Sequence, residues 1–361
     1  MNILSLFTKK KLSVAFSFDN GYVRFVALEK EHDKIQVIDF GSEFFGPDIL
    51  NDQESIIDDA LFVRKIRMII ESMKEKWGID TVNIVVPDRQ AIMFHTHVAK
   101  MQEKEMLDVI NDHIATYCES QQLLGLKEYI CEYDIIRETD FGYDIHVTLV
   151  PKLYIAHLNR LFRQAGVGVC HIETAHHAVV RSCLEIPTGT GTVFVSFGET
   201  KTSISLLHGE HLISEETVAV GTEHLHKTVE RFLRVSRSDA EKIIERHGIL
   251  MTHPDNGLLG ELYLELAPIY RSIDRQMINI GKMPYKTFGH RFTTKTLIVY
   301  GVGTWIKGLV SFLGEKTKLK TSLLDVWAGQ DKDRAPIINI PAQETLTYAE
   351  PLSLALLNLS E

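Results

Sequence analysis

The sequence has no uncharged run long enough to cross a bilayer, no surplus of positive charge and no paired cysteines, and each absence removes a class of function. A membrane-spanning helix needs roughly 18–20 mostly apolar residues, and the N-terminus shows no signal-peptide core followed by a small-residue cleavage site. A cytoplasmic location with no transmembrane segment is therefore expected. The formal net charge is −9. Nucleic-acid affinity comes largely from clustered Lys and Arg that release counterions, so DNA and RNA are not expected as partners. The four cysteines, Cys118, Cys131, Cys170 and Cys183, form no C-x-x-C pair and sit in apolar or helical patterns. That predicts buried free thiols in a reducing compartment. G-x-S-x-G, catalytic-cysteine and H-E-x-x-H signatures are all missing. His95-x-His97 shares one strand face, and His171, His176-His177, His224 and His226 add further imidazoles. A zinc site needs convergent ligands with supporting hydrogen bonds, so isolated histidines and no metal are expected.

What is present is ordinary globular composition, 45% hydrophobic and 24% charged over 361 residues, enough for two domains and more than one core. A short apolar run, Met1 to Thr8, precedes Lys9-Lys10-Lys11. It reads either as a frayed terminus or as a contact to an anionic leaflet at about 1 kcal/mol per basic residue. Strand signals then cluster twice, at 12 to 40 and 191 to 220, and the clusters can be written over each other at an offset of about 180 residues. Ser17-Phe18 falls on Ser196-Phe197, Phe25 on Ile204, Leu28 on Leu207 and Gly41 on Gly221. Val14, Phe16 and Phe18 alternate on one face, and Val23, Phe25 and Ala27 on a face of the next strand, which predicts half-buried strands in a three-stranded meander. A helical stretch follows each copy, Ile56 to Met73 and Glu223 to Leu233, and then a further strand, from Thr81 and from Thr296.

Between the copies, residues 89–164 read strand, helix, strand, strand and helix, the last closed by Gly166 as a left-handed cap. Ser236-Arg-Ser-Asp239 is a capping box opening a helix that Gly248 ends, and more helix runs from about Leu258 to Ile280. The predicted division is a first domain, 12–88 with 165–190, an α+β subdomain inserted in it at 89–164, and a second domain at 191–361. The apolar end, Pro351 to Glu361, has no basic residue and reads as a buried helix closing the second domain.

A duplicated meander-plus-helix with facing hairpin tips resembles the actin-like ATPase fold, an α/β class. The insertion within the first domain narrows the resemblance to the cell-division protein FtsA and the pilus-assembly protein PilM. PilM is the nearer, from the apolar leader with lysines, Val85-Val86-Pro87, Ala165-Gly166, Ala240-Glu241 and the Gly-rich turn Gly301-Val302-Gly303. An FtsA-like protein would end in a basic amphipathic membrane helix, unlike this chain.

In this family ATP sits between the domains on the two hairpin tips, with an Asp in each hairpin organising magnesium. The resemblance maps the phosphate loops onto Ser17, Asn20 and Gly21 and onto Ser196, Gly198 and Thr200, the ribose side onto Glu241, and the adenosine loop onto Gly301 and Gly303. Ser17 and Ser196 stand where the family has Asp, and Ile244 where it has Lys. Asp19 and Glu199 place charge at the tips; a carboxylate about 4 Å from a phosphate costs roughly 4 kcal/mol at an effective dielectric near 20. Asn20-Gly21 is moreover the preferred type I′ two-residue turn, which pairs Asp19 with Tyr22 rather than opening a cradle. Glu173, near the family's inter-domain Asp, is left as the one acid at the hinge. A dinucleotide reading of Gly301-x-Gly303 fails because the third Gly is absent and too little chain follows.

These residues predict a degenerate nucleotide site, no catalysis and no cofactor. What the resemblance implies is a cytoplasmic adaptor or scaffold of a type IV pilus or type II secretion-like platform. Its partner would be the N-terminal tail of a PilN-like inner-membrane protein, gripped between the first domain's core and its insertion. Two alternatives stay open: an ATP-binding FtsA-like scaffold, and an active ATPase.

Overall fold

The computed structural model describes residues 10–32, 34–51, 54–182, 190–209, 211–250, 256–281, 293–328, 337–342 and 344–360. The apolar leader at 1–9 and Cys183 lie outside them. Strands β1 (Lys11–Asp19), β2 (Tyr22–Glu31) and β3 (Lys34–Phe44) form the predicted meander. Helix α1 (Asp59–Trp77) then crosses over to β4 (Thr81–Val86), which lies parallel to β1, since parallel neighbours need such a crossover. Asp58 caps α1 by accepting from Leu61 N–H at 2.9 Å, and Gly78, at φ 66°, ends it.

After the next block, α3 (Lys152–Ala165) leads to β8 (Gly168–Thr174) and α4 (Ala175–Ser182). The first sheet has the order β3-β2-β1-β4-β8. The second repeats it as β11-β10-β9-β12-β13, from β9 (Gly191–Phe197), β10 (Thr202–His208), β11 (His211–Val218), β12 (Thr294–Tyr300) and β13 (Lys320–Leu323). Helices α5 (Thr222–Leu233), α6 (Arg237–His247) and α7 (Asn256–Gly281) make its crossover, and α8 (Leu309–Thr317) joins β12 to β13. A third sheet, β5-β7-β6, is built by β5 (Ile92–Ala99), β6 (Tyr129–Glu138) and β7 (Gly142–Pro151) and covered by α2 (Glu103–Ser120).

Three expectations need correction, all for the same reason. Strands β1 and β2 are buried on both faces, not half-buried: Val14, Phe16 and Phe18 face α1 and α3, while Ala15, Val26 and Leu28 face α4 and α9 (Ala349–Ser360). Helix α3, expected inside the inserted block, packs Leu158, Leu161 and Phe162 into the first core beside Phe16 and Phe62. Helix α9, expected to close the second domain, lies across β1 and β2 and against α4. It joins a core shared with Phe194 and Tyr300 of the second sheet. Leu352, Leu354, Leu356 and Leu359 of α9 are all at most 3% exposed. Burial of such a side chain contributes roughly 1.5–3 kcal/mol, enough to fix where the helix lies. Local periodicity carries no information about a partner element that is far away in the chain. The thiols also differ from expectation: Cys118 is buried, Cys131 is intermediate, and Cys170, on the β8 edge strand, is exposed.

Candidate functional site

The two hairpins meet tip to tip. In the first, Asn20 and Gly21 have φ of 53° and 78°, as a type I′ turn requires, and Asp19 pairs with Tyr22. In the second, Phe197 pairs with Thr202, and Gly198 N–H donates to the Lys201 carbonyl at 3.0 Å, leaving Glu199 and Thr200 at the apex. The Asn20 carboxamide oxygen accepts three hydrogen bonds from that apex: Thr200 N–H at 3.1 Å, Thr200 Oγ1 at 2.7 Å and Lys201 N–H at 3.2 Å. Successive backbone amides joined by a hydroxyl are what a phosphate oxygen would otherwise engage. A Cβ at position 198 would stand 2.2 Å from Asn20 Nδ2, so the glycine is what lets the carboxamide seat.

Charge closes the same junction. Arg24 on β2, opposite Ser17, has a side chain only 3% exposed; it bonds Glu199 and lies 3.6 Å from Asp19. Lys201 bonds Glu54, which the segment after β3 carries beneath the tip. Burial first, and the Asp19 charge second, push the Glu54 carboxyl up to about 7. Burial also raises Glu199 to about 7, against the opposing pull of Arg24, and Glu215 on β11 to about 8. Glu350, at the start of α9, is likewise held well above the usual carboxylate range by burial.

A pH dependence follows. A carboxyl whose folded pKa exceeds its unfolded value binds more protons when folded, so its contribution to stability is lost as pH rises through the folded pKa. The unfolded value is about 4.3, and unfolded histidines, half-protonated at about pH 6.5, release only their remaining fraction of a proton above it, less than the buried carboxyls release from the folded state. Between pH 6.5 and 8.5 the buried carboxylates therefore dominate, and unfolding free energy should fall by on the order of 1–3 kcal/mol. Denaturant titrations at the two pH values check this; a rise in stability across the window would refute it.

The remaining predicted site residues lie apart from the tips. Ser17 is buried, and Ser196 sits on β9 between Ser203 and Tyr300 of the adjoining strands. Glu241 on α6 accepts from Arg237 Nε at 2.7 Å, and Arg237 also bonds Glu223 and, at 3.3 Å, Glu230. Gly301, at φ 93°, donates its N–H to the Leu346 carbonyl at 3.0 Å. A Cβ on Gly303 would come 2.0 Å from the Phe197 ring, so this loop packs directly on the second sheet. Glu173 is engaged by Arg181 at 2.8 Å. Asn20, Gly21, Gly198 and Thr200 are thus brought together, with a cavity of about 480 Å³ beside them that Phe44, Arg89 and Lys201 also line.

Sequence reasoning missed Arg24, Lys201 and Glu54. The available signal was Arg24 itself, a charge on the strand face that also carries Val26 and Leu28. It also missed that histidines converge. His146, His176 and His177 place ligand-capable nitrogens within 4.8 Å of one another, which corrects the expectation of isolated imidazoles. Burial lowers His146 to about 2 and His177 and His95 to about 4, so these rings are neutral. His224 instead accepts from Gly221 N–H at 3.2 Å, and His226 stacks on Trp305.

No protein-family model and no curated protein matches the sequence. Solved structures do match. The PilM-PilN type IV pilus biogenesis complex aligns with a TM-score of 0.67 at 14% identity, over 95% of this chain and 96% of that one. The chain has the actin-like ATPase fold. MreB5 of Spiroplasma citri bound to ADP shares it at a TM-score of 0.53 and 10% identity, covering 96% of this chain and 97% of that one. The ethanolamine utilization protein EutJ from Carboxydothermus hydrogenoformans aligns at 0.51 and 11%, covering 96% and 89%. Among the described residues no helix is long and apolar enough to cross a membrane.

Proposed function

We propose that this chain is an actin-like adaptor of a type IV pilus or related secretion platform, cytoplasmic and held at the inner membrane by its partners, with a nucleotide site that has lost its chemistry. The observation that carries the reading is Asn20: its carboxamide takes the backbone and hydroxyl donors of the second hairpin, while Arg24 and Lys201 engage Glu199 and Glu54. Magnesium-ATP does not fit the residues present. Ser17 and Ser196 offer no carboxylate to a hard cation, and Asp19 and Glu199 would face the phosphates with like charge.

The partner in this reading is the N-terminal tail of a PilN-like membrane protein, by likeness to the PilM-PilN complex. The described residues offer a groove for it between the first core and the third sheet. Val86, Ile130, Val150 and Ile172 line a half-open cavity of about 150 Å³ together with Glu132 and Glu173. Its chemistry suits a short extended peptide with apolar side chains and a basic residue to meet Glu132, Glu173 being already held by Arg181.

Thermal unfolding tests both halves. Saturating magnesium-ATP should leave the midpoint unchanged, whereas a tail peptide at a hundredfold over its dissociation constant should stabilise by about 2.7 kcal/mol. An upward shift with magnesium-ATP would establish the other reading, an ATP-binding protein such as the ADP-bound MreB5. No shift with the peptide would remove the adaptor assignment.

A further inference from the structure

Where the third sheet meets the first core, His146 on β7 faces His176 and His177 in the first turn of α4. The three rings differ in how their nitrogens are used. His176 is 3% exposed; its backbone N–H donates to Asp88 at 3.1 Å and its Nδ1 lies 2.8 Å from the same carboxylate. A carboxylate at Nδ1 accepts a hydrogen bond from the ring N–H, which keeps the proton on Nδ1 and leaves Nε2 with its lone pair. That Nε2 is buried and has no hydrogen-bond partner. An imidazole fixed by a carboxylate on one nitrogen, with the other bare, is the arrangement of a metal-ligating histidine. His177 Nδ1 lies 3.0 Å from Thr174 Oγ1 and 3.6 Å from the Glu173 carboxylate. His146 is engaged at both nitrogens, by His95 Nε2 at 3.2 Å from its Nδ1 and by Thr148 Oγ1 at 3.2 Å from its Nε2, so an ion would take the place of the Thr148 hydroxyl.

We propose that His146, His176 and His177 form a binding site for a borderline divalent cation of the zinc class, with Asp88 as the positioning carboxylate. Imidazole is a favoured ligand for zinc, and three protein nitrogens leave a fourth position for water. Zinc–nitrogen bonds of about 2.0–2.1 Å place tetrahedral ligands about 3.3–3.4 Å apart, so the nitrogens need to close by at most about 1.5 Å from their present limit of 4.8 Å. A route in exists, because His177, Thr148 and Thr174 line the half-open cavity of the groove. Two of the ligands come from the first core and one from the third sheet, so the ion would fasten the one to the other. The ion needs no peptide in the groove, although the cavity that admits it is the one proposed for the peptide.

Zinc chloride added to the untagged, metal-stripped full chain should bind at one equivalent, by titration calorimetry, and raise the unfolding midpoint. Cobalt(II) at the same site should give the strong visible absorption of a tetrahedral centre. His177→Gln, at a half-buried position, and His146→Gln should each weaken zinc binding at least tenfold, and Asp88→Asn by about 10- to 100-fold. His247→Gln, at an exposed position on α6, should leave it unchanged. Absence of one-equivalent binding overturns the site, and so does binding that survives both His146→Gln and His177→Gln in chains whose circular dichroism is unchanged.

Discussion

Replacing Arg24 with alanine should destabilise the protein by about 3–5 kcal/mol, the loss typical when one partner of a buried ion pair is removed. The guanidinium is nearly inaccessible, bonds Glu199, lies 3.6 Å from Asp19 and sits 5.1 Å over the ring of Tyr22. Without it, Asp19, Glu199 and the neighbouring Glu54 would face one another with Lys201 and Arg89 as the nearby cations. The cost lies in the stranded acids more than in the lost attraction, and the two can be separated. Arg24→Met combined with Glu199→Gln removes both members and should recover part of the loss, since a buried pair replaced by neutral groups of similar size is often close to neutral. Urea titrations of Arg24→Met, Glu199→Gln and the double variant close the cycle. A loss below about 1 kcal/mol for Arg24→Ala would mean that the hairpin junction is held by Asn20 and the Lys201–Glu54 pair without it.

The same junction shows what a sequence can and cannot disclose. The turn at Asn20-Gly21 is legible because its chemistry is local: two adjacent residues with positive φ, and a fixed register on either side. The duplication is legible for a related reason, in that each copy repeats its own pattern of apolar alternation, and the two sheets do share one strand order. Where contact partners are far apart in the chain, the pattern falls silent. Asn20 and Thr200 could each be placed on a hairpin tip, but nothing in either neighbourhood says that the carboxamide of one would satisfy the amides of the other. His146 and His176 illustrate the point more sharply. They are thirty residues apart, on a strand and a helix with no metal-motif spacing, and only the packing of the third sheet on the first core brings them within reach.

Helix α3 is where long-range packing reassigns a whole element, and Phe162→Ala tests it. Phe162 is fully buried, with its ring centroid 5.5 Å from Phe16, 6.1 Å from Phe62 and 6.4 Å from Phe18, all in edge-on arrangements. Truncation removes an aromatic side chain at the centre of a four-ring cluster whose other members are fixed on β1 and α1, so the space cannot collapse easily. Loss of a buried phenylalanine costs about 3–5 kcal/mol, and pairwise aromatic contacts add roughly 0.5–1.5 kcal/mol beyond area. The location of the damage discriminates more than its size. If α3 belongs to the first core, amide exchange should rise in β1, β4 and α1 while β5, β6 and β7 keep their protection, because the third sheet has a separate core built on Ile110, Ile114, Ile145 and Val147. Exchange confined to β5–β7 would return α3 to the inserted block. It would also weaken the groove between the two, since Ile155 on α3 forms part of its wall and would then move with the third sheet rather than against it.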